Sequence, residues 1–88
     1  MALAVTARGL SITAIEDAEV GDVVALWQRC GLTRPWNDPA ADIALARSGQ
    51  NAAVLVGHDG STIAASVLVG HDAHRGWVYY LSVDPDHR

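Results

Sequence analysis

Two apolar runs, Ala52–Val56 and Thr62–Val69, flank the short connection His58-Asp59-Gly60, and this pairing constrains the chain more than any other feature. An Asp-Gly pair between β-branched runs is hairpin chemistry, because glycine takes a positive φ without steric cost. In the second run Ile63, Ala65, Val67 and Val69 point one way while Ala64, Ser66 and Leu68 point the other, and neither set is strongly polar. A strand that is apolar on both faces belongs inside a sheet with layers on both sides.

Upstream, Leu10–Ile15 reads as a first strand, followed by the acidic group Glu16, Asp17 and Glu19. Carboxylates favour a helix start, where unpaired backbone N–H groups and the positive end of the dipole meet them, so a helix is predicted from near Ala18. Val20, Val23, Val24, Trp27 and Cys30 then share one face at spacings of three and four, which marks Trp27 as core. Gly31 suits the left-handed conformation just past a helix end, and Leu32 can fold back onto the last turn. Pro35 and Pro39 keep Thr33–Pro39 from being helical throughout. Asp38 and Pro39 form an N-cap and first-position pair for a second helix to Arg47, stopping at Gly49 and anchored by Ile43. After the polar stretch Gly70–Gly76, the aromatic and branched run Trp77–Val83 reads as a last strand. The element order is β-α-α-β-β-β.

With 88 residues there is room for one domain at most, and a lone core of that size is modest. No apolar run approaches the ~20 residues of a membrane span. Met1–Arg8 lacks the pattern of a secretory signal, so a cytoplasmic location is expected. The one cysteine, Cys30, is expected to be a small core residue, and no Cys and His pair has zinc-ligand spacing. The net charge is -4 and the six arginines are dispersed, which argues against nucleic acid and suits an amine or cationic ligand.

This order of elements, ending in Tyr79-Tyr80-Leu81-Ser82-Val83-Asp84-Pro85-Asp86-His87-Arg88, resembles the N-terminal half of the GNAT superfamily of N-acetyltransferases. The stretch from Leu26 and Trp27 through Arg34-Pro35-Trp36-Asn37-Asp38-Pro39 is similar to one subgroup of small bacterial members. The resemblance implies an α+β fold, α/β layered, with a mostly antiparallel sheet, of which residues 1–88 form a single partial domain. That domain ends where the pyrophosphate-binding loop begins. The activity implied is acetyl transfer from acetyl-coenzyme A to a primary amine, by direct attack of the amine on the thioester and without a metal.

In such an enzyme Leu81, Ser82 and Val83 would meet the pantetheine arm, and Arg88 would open the loop that binds pyrophosphate through backbone N–H groups. The Val83 amide is a candidate oxyanion donor, Tyr79 and Tyr80 are candidates for proton transfer, and no general base is assigned. Arg34, Trp36, Asn37 and Asp38 border the expected acceptor pocket. The acceptor is a small-molecule or protein amine.

Plainer readings stand beside these. Trp36 suits loop packing as well as substrate contact, and Arg34 and Asp38 suit a local ion pair. Tyr79 and Tyr80 should point to opposite faces of their strand, so that only one reaches a pocket. His58, His71, His74 and His87 fall in predicted turns, where solvated histidine is ordinary. The alternative function is a non-enzymatic interaction module, dimerising through its open sheet edge or pairing with a missing C-terminal segment.

Overall fold

The computed structural model describes residues 4–7 and 10–87. Strands β1 (Ala4–Ala7) and β2 (Leu10–Ala14) precede helices α1 (Val20–Arg29) and α2 (Pro39–Ser48), and strands β3 (Ala52–Asp59), β4 (Thr62–His71) and β5 (Gly76–Val83) follow. The five strands form one antiparallel sheet in the order β1-β2-β3-β4-β5. The fold is α+β and layered, as the sequence predicts, and each later element lies within a few residues of its expected place. The strand β1 was not expected: four residues are too few to carry a readable alternation, and its place is set by pairing with β2.

The helices begin and end for local reasons. Glu16 donates its backbone N–H to Glu19 Oε1 at 2.9 Å, closing a capping box, so a 3-10 turn at Asp17–Glu19 precedes the α-helix that was expected from Ala18. Gly31 has φ 71°, and the amides of Gly31 and Leu32 donate to Gln28 O and Trp27 O, both at 3.0 Å. This paired closure satisfies the last carbonyls of α1 and explains why glycine stands there. Asp38 Oδ1 accepts from the Ala41 amide at 3.1 Å, and Pro39 opens α2.

Ile15, Val23, Leu26, Trp27, Ile43, Ala46, Val54, Val56 and Leu68 form the core between the helices and one face of the sheet. Leu26 is also fully buried: it lies three residues after Val23 and four before Cys30, so helical spacing brings it to the same face, although the expected stripe left it out. In β4 the set Ala64, Ser66, Leu68 and Gly70 is buried, whereas Ile63, Ala65, Val67 and Val69 are half-buried. Among the described residues the sheet therefore has one helix-covered face, not the two that an all-apolar strand implies. Cys30, expected in the core, is half-buried at its margin.

His58 corrects a second expectation. Strand β3 runs on to Asp59, so His58 lies at a bulge within the strand, part-buried and paired with Glu19 through Nε2 and Oε2. His71 ends β4 and His87 lies 3.4 Å from Asp59, while His74 keeps the turn role predicted for it. The turn itself is held by Asp72, whose Oδ1 accepts the amides of His74 and Arg75 at 3.0 Å each. Those two N–H groups hold the Asp72 carboxyl below the usual aspartate range.

Opposite Gly70 on β5 stands Trp77, and a methyl group at Gly70 would come within 2.6 Å of the indole Nε1. Gly70→Ala therefore has to displace the ring and is expected to cost about 1–3 kcal/mol through overpacking. Urea denaturation measures the cost, and a shift in Trp77 fluorescence reports the displaced ring. An unchanged protein by both measures contradicts this packing.

Candidate functional site at the bulged edge strand

Strand β5 pairs with β4 on one side, and no described strand lies on its other side. The pairing is irregular: Tyr79 faces Leu68 and Ser82 faces Ser66, so Tyr80 and Leu81 together stand against the single residue Val67. A bulge of this kind bends the strand and re-aims the side chains that follow it. At its centre Tyr80 has φ 55°, a left-handed conformation that an aromatic residue rarely adopts. The rule that neighbours on a strand point apart fails here, and Tyr79 and Tyr80 line the same cavity. The expectation that only one of them reaches a pocket is thereby corrected.

Two contacts hold Tyr80 in this conformation. Its ring stacks on Trp27 with centroids 4.0 Å apart and planes 3° from parallel, and its hydroxyl donates to Asp42 Oδ2 at 2.7 Å. The Asp42 carboxylate, aided by burial, pushes the phenol up to about 12, so it stays protonated and donating at neutral pH. Trp27 is fully buried, as its helical spacing predicts, and it also forms the platform on which the bulge rests.

The cavity beside the bulge has a volume of about 610 Å³ and opens to solvent. Leu32 from the α1 end, Asp42, Leu45 and Ala46 from α2, Ala52 from β3, Leu68 from β4 and Trp77, Tyr79 and Tyr80 from β5 line it. Asp42, Leu45 and Trp77 escaped the sequence reading. Asp42 meets Tyr80 across 38 positions, and Leu45 sits off the buried stripe of α2 with 74% of its surface exposed. No local pattern announces such residues.

The far end of β5 is tied down. Ser82 is buried with its hydroxyl donating to Ser66 O at 3.2 Å, the Asp84 amide donates to Ala64 O at 2.7 Å, and the Cys30 thiol donates to Val83 O at 3.3 Å. Because the Asp84 amide faces β4, ladder alternation turns the Val83 amide toward the outer side of β5. Arg29 Nη2 reaches Asp84 Oδ2 at 2.9 Å, and the Asp86 amide donates to Asp84 Oδ1 at 3.0 Å.

The Asp86 amide first, and Arg29 after it, hold the Asp84 carboxyl below the usual aspartate range against the opposing effect of burial. A depressed folded-state value means that Asp84 stabilises the fold above the ordinary aspartate pKa of about 3.9, and that this contribution is lost as pH falls below it. Asp84→Asn is therefore expected to lower stability at pH 7 and to flatten the decline below about pH 4. Urea midpoints measured from pH 7 to pH 2.5 check this; parallel curves for the two proteins contradict it.

The other expected site residues divide. Leu81 is exposed on the edge strand, and Arg88 lies outside the described residues. None of Arg34, Trp36, Asn37 and Asp38 lines the cavity. Arg34 Nη1 donates to Gly31 O and Thr33 O at 3.0 and 3.2 Å instead of meeting Asp38, whose carboxylate caps α2. Asn37 Oδ1 accepts the Arg34 amide at 3.0 Å, and Trp36 is 80% exposed, so the loop does not bury its indole. No cluster of metal-ligating side chains occurs among the described residues, and no described helix is long and apolar enough to cross a membrane.

Helices on one face of an antiparallel sheet, with an aromatic-lined cavity at a bulged edge, define the class: an α+β layered protein whose candidate site lies at the sheet's end. No family model matches the chain. An acetyltransferase of Yersinia pestis (strain Pestoides F) is 40% identical over 79 residues, which is 90% of this chain and 56% of that protein. An acetyltransferase of Sodalis glossinidius is 42% identical over 67 residues, covering 76% of this chain and 47% of that protein. One from Pectobacterium atrosepticum is 47% identical over 66 residues, again with 75% and 47% covered. The chain is thus a homologue of bacterial acetyltransferases, and it spans about half the length of these curated relatives.

Proposed function

We propose that the full gene product is an acetyl-coenzyme A dependent N-acetyltransferase of the GNAT type. The observation that carries this reading is the bulged strand β5, whose outer side faces no described strand and whose Trp77, Tyr79 and Tyr80 line the apolar cavity. An extended pantetheine arm can add to such an edge as a further strand would, through main-chain hydrogen bonds. In this reading the arm meets Leu81 to Val83 through the outward-facing backbone groups of Leu81 and Val83, the Ser82 groups being turned toward β4, and the Val83 amide stabilises the thioester oxyanion. Arg88 begins the pyrophosphate loop. The names of the relatives support acetyl transfer as the chemistry.

Direct attack by the amine requires no covalent enzyme intermediate, so the protein's task is to orient two reactants and stabilise developing charge. Tyr80 is a poor candidate for proton transfer near neutral pH, because its phenol is committed to Asp42 and raised to about 12. Tyr79 lines the same cavity with 57% of its surface exposed. Isothermal titration of the full gene product with acetyl-coenzyme A tests the reading. Saturable one-site binding is expected, and absence of binding overturns it.

A second reading rests on the exposed side chains of Val78 (57%) and Leu81 (69%) along the same edge. They favour pairing of the 88-residue chain with a copy of itself or with a following segment. Light scattering on this chain alone should then report a species larger than a monomer.

A further inference from the structure

From the cavity lining we infer that the acceptor is an amine of single positive charge on an apolar body, recognised by Asp42 together with the rings of Trp77, Tyr79 and Tyr80. This inference rests on the acetyltransferase reading and narrows it to a substrate class.

Among the described residues the lining holds one carboxylate and no arginine, lysine or histidine. One carboxylate suits one ammonium, and a ligand that carries a carboxylate or phosphate finds no cation to meet it. Tyr80 occupies Asp42 Oδ2 through a 2.7 Å hydrogen bond and so fixes the carboxylate, while an ionised carboxylate has acceptor positions to spare for an ammonium. Trp77, Tyr79 and Tyr80 put three aromatic rings in the lining, and an aromatic ring attracts a cation that approaches its open face. Leu32, Leu45, Ala46, Ala52 and Leu68 supply the apolar remainder, which suits an alkyl or arylalkyl body better than a polyhydroxylated one. Amino acids, phosphorylated amines and polyamines of high charge are disfavoured on these grounds. A lysine side chain shares the favoured chemistry and is the alternative source of the same group.

Calorimetric titration of the full gene product with 2-phenylethylamine, hexylamine, phenylacetate and Nα-acetyl-lysine methylamide tests the inference. Both free amines should bind and phenylacetate should not; binding of the lysine derivative at equal strength would assign the ammonium to a protein side chain. Asp42→Asn should weaken amine binding at least tenfold. Because Asp42 also holds Tyr80, the exposed position supplies a second variant: Leu45→Arg places a like charge at the rim without touching the core, and should weaken the amines as much. Phenylacetate binding as tightly as 2-phenylethylamine, or amine binding indifferent to both variants, overturns the inference. Acetyl-coenzyme A titrated in parallel separates the two failures: coenzyme binding without amine binding sinks the acceptor class alone, and amine binding without coenzyme binding sinks the acetyltransferase reading.

Discussion

Trp27→Ala is expected to cost about 3–5 kcal/mol and to leave the 88-residue chain largely unfolded at 25 °C. Trp27 is the largest fully buried side chain, it sits where α1 meets the sheet, and its ring carries Tyr80 at a 4.0 Å centroid distance. Truncation opens a cavity that the surrounding core fills only in part by relaxing. A core this small supplies only about 3–5 kcal/mol of net stability, so the loss is comparable with the whole. Trp27→Phe keeps an aromatic platform and is expected to lose about half as much. Urea denaturation followed by far-UV circular dichroism checks both; a cost below about 1 kcal/mol for the alanine variant contradicts the packing described.

Tyr80→Ala is expected to lower stability by about 3 kcal/mol and to abolish coenzyme binding by the full gene product. The alanine removes both the stack on Trp27 and the hydrogen bond to Asp42, the two contacts that hold a left-handed backbone conformation at φ 55°. A non-glycine residue there carries strain of order 1–3 kcal/mol, and without its contacts the bulge should revert to regular pairing. Regular pairing would re-aim Leu81 and Val83. Tyr80→Phe keeps the stack, so it should cost about 1 kcal/mol and leave coenzyme affinity within about threefold. If alanine and phenylalanine weaken coenzyme binding equally, the bulge is not what the stack maintains.

Much of the fold was legible in the sequence. Glycine and proline punctuation at Gly31, Pro39 and Gly49, the Asp38 cap, and the hairpin turn at Asp59 and Gly60 placed both helices and the β3–β4 hairpin within a few residues. These are local signals, set by steric limits on φ and by unpaired backbone groups at helix ends. What was not legible is non-local. The positive φ of Tyr80 is imposed by Trp27 and Asp42, residues 53 and 38 positions away, and nothing in the run Trp77–Val83 itself marks a bulge. The same cause hid Asp42 and Leu45, which reach the cavity only once α2 is packed over β3 and β4. Conversely, the loop Arg34–Asp38 drew attention by its unusual composition, and most of its polar groups serve to close α1 and open α2. Composition marked a shaped loop there, while its relation to a substrate rests on resemblance.

Amide hydrogen exchange at Leu81 and Val83 of the full gene product, with and without saturating coenzyme A, tests the central claim most directly. Docking of the pantetheine arm along the outer side of β5 predicts that protection at these amides rises at least tenfold on coenzyme addition. Saturable coenzyme binding with unchanged exchange at Leu81 and Val83 would place the coenzyme elsewhere and contradict the assignment of this edge.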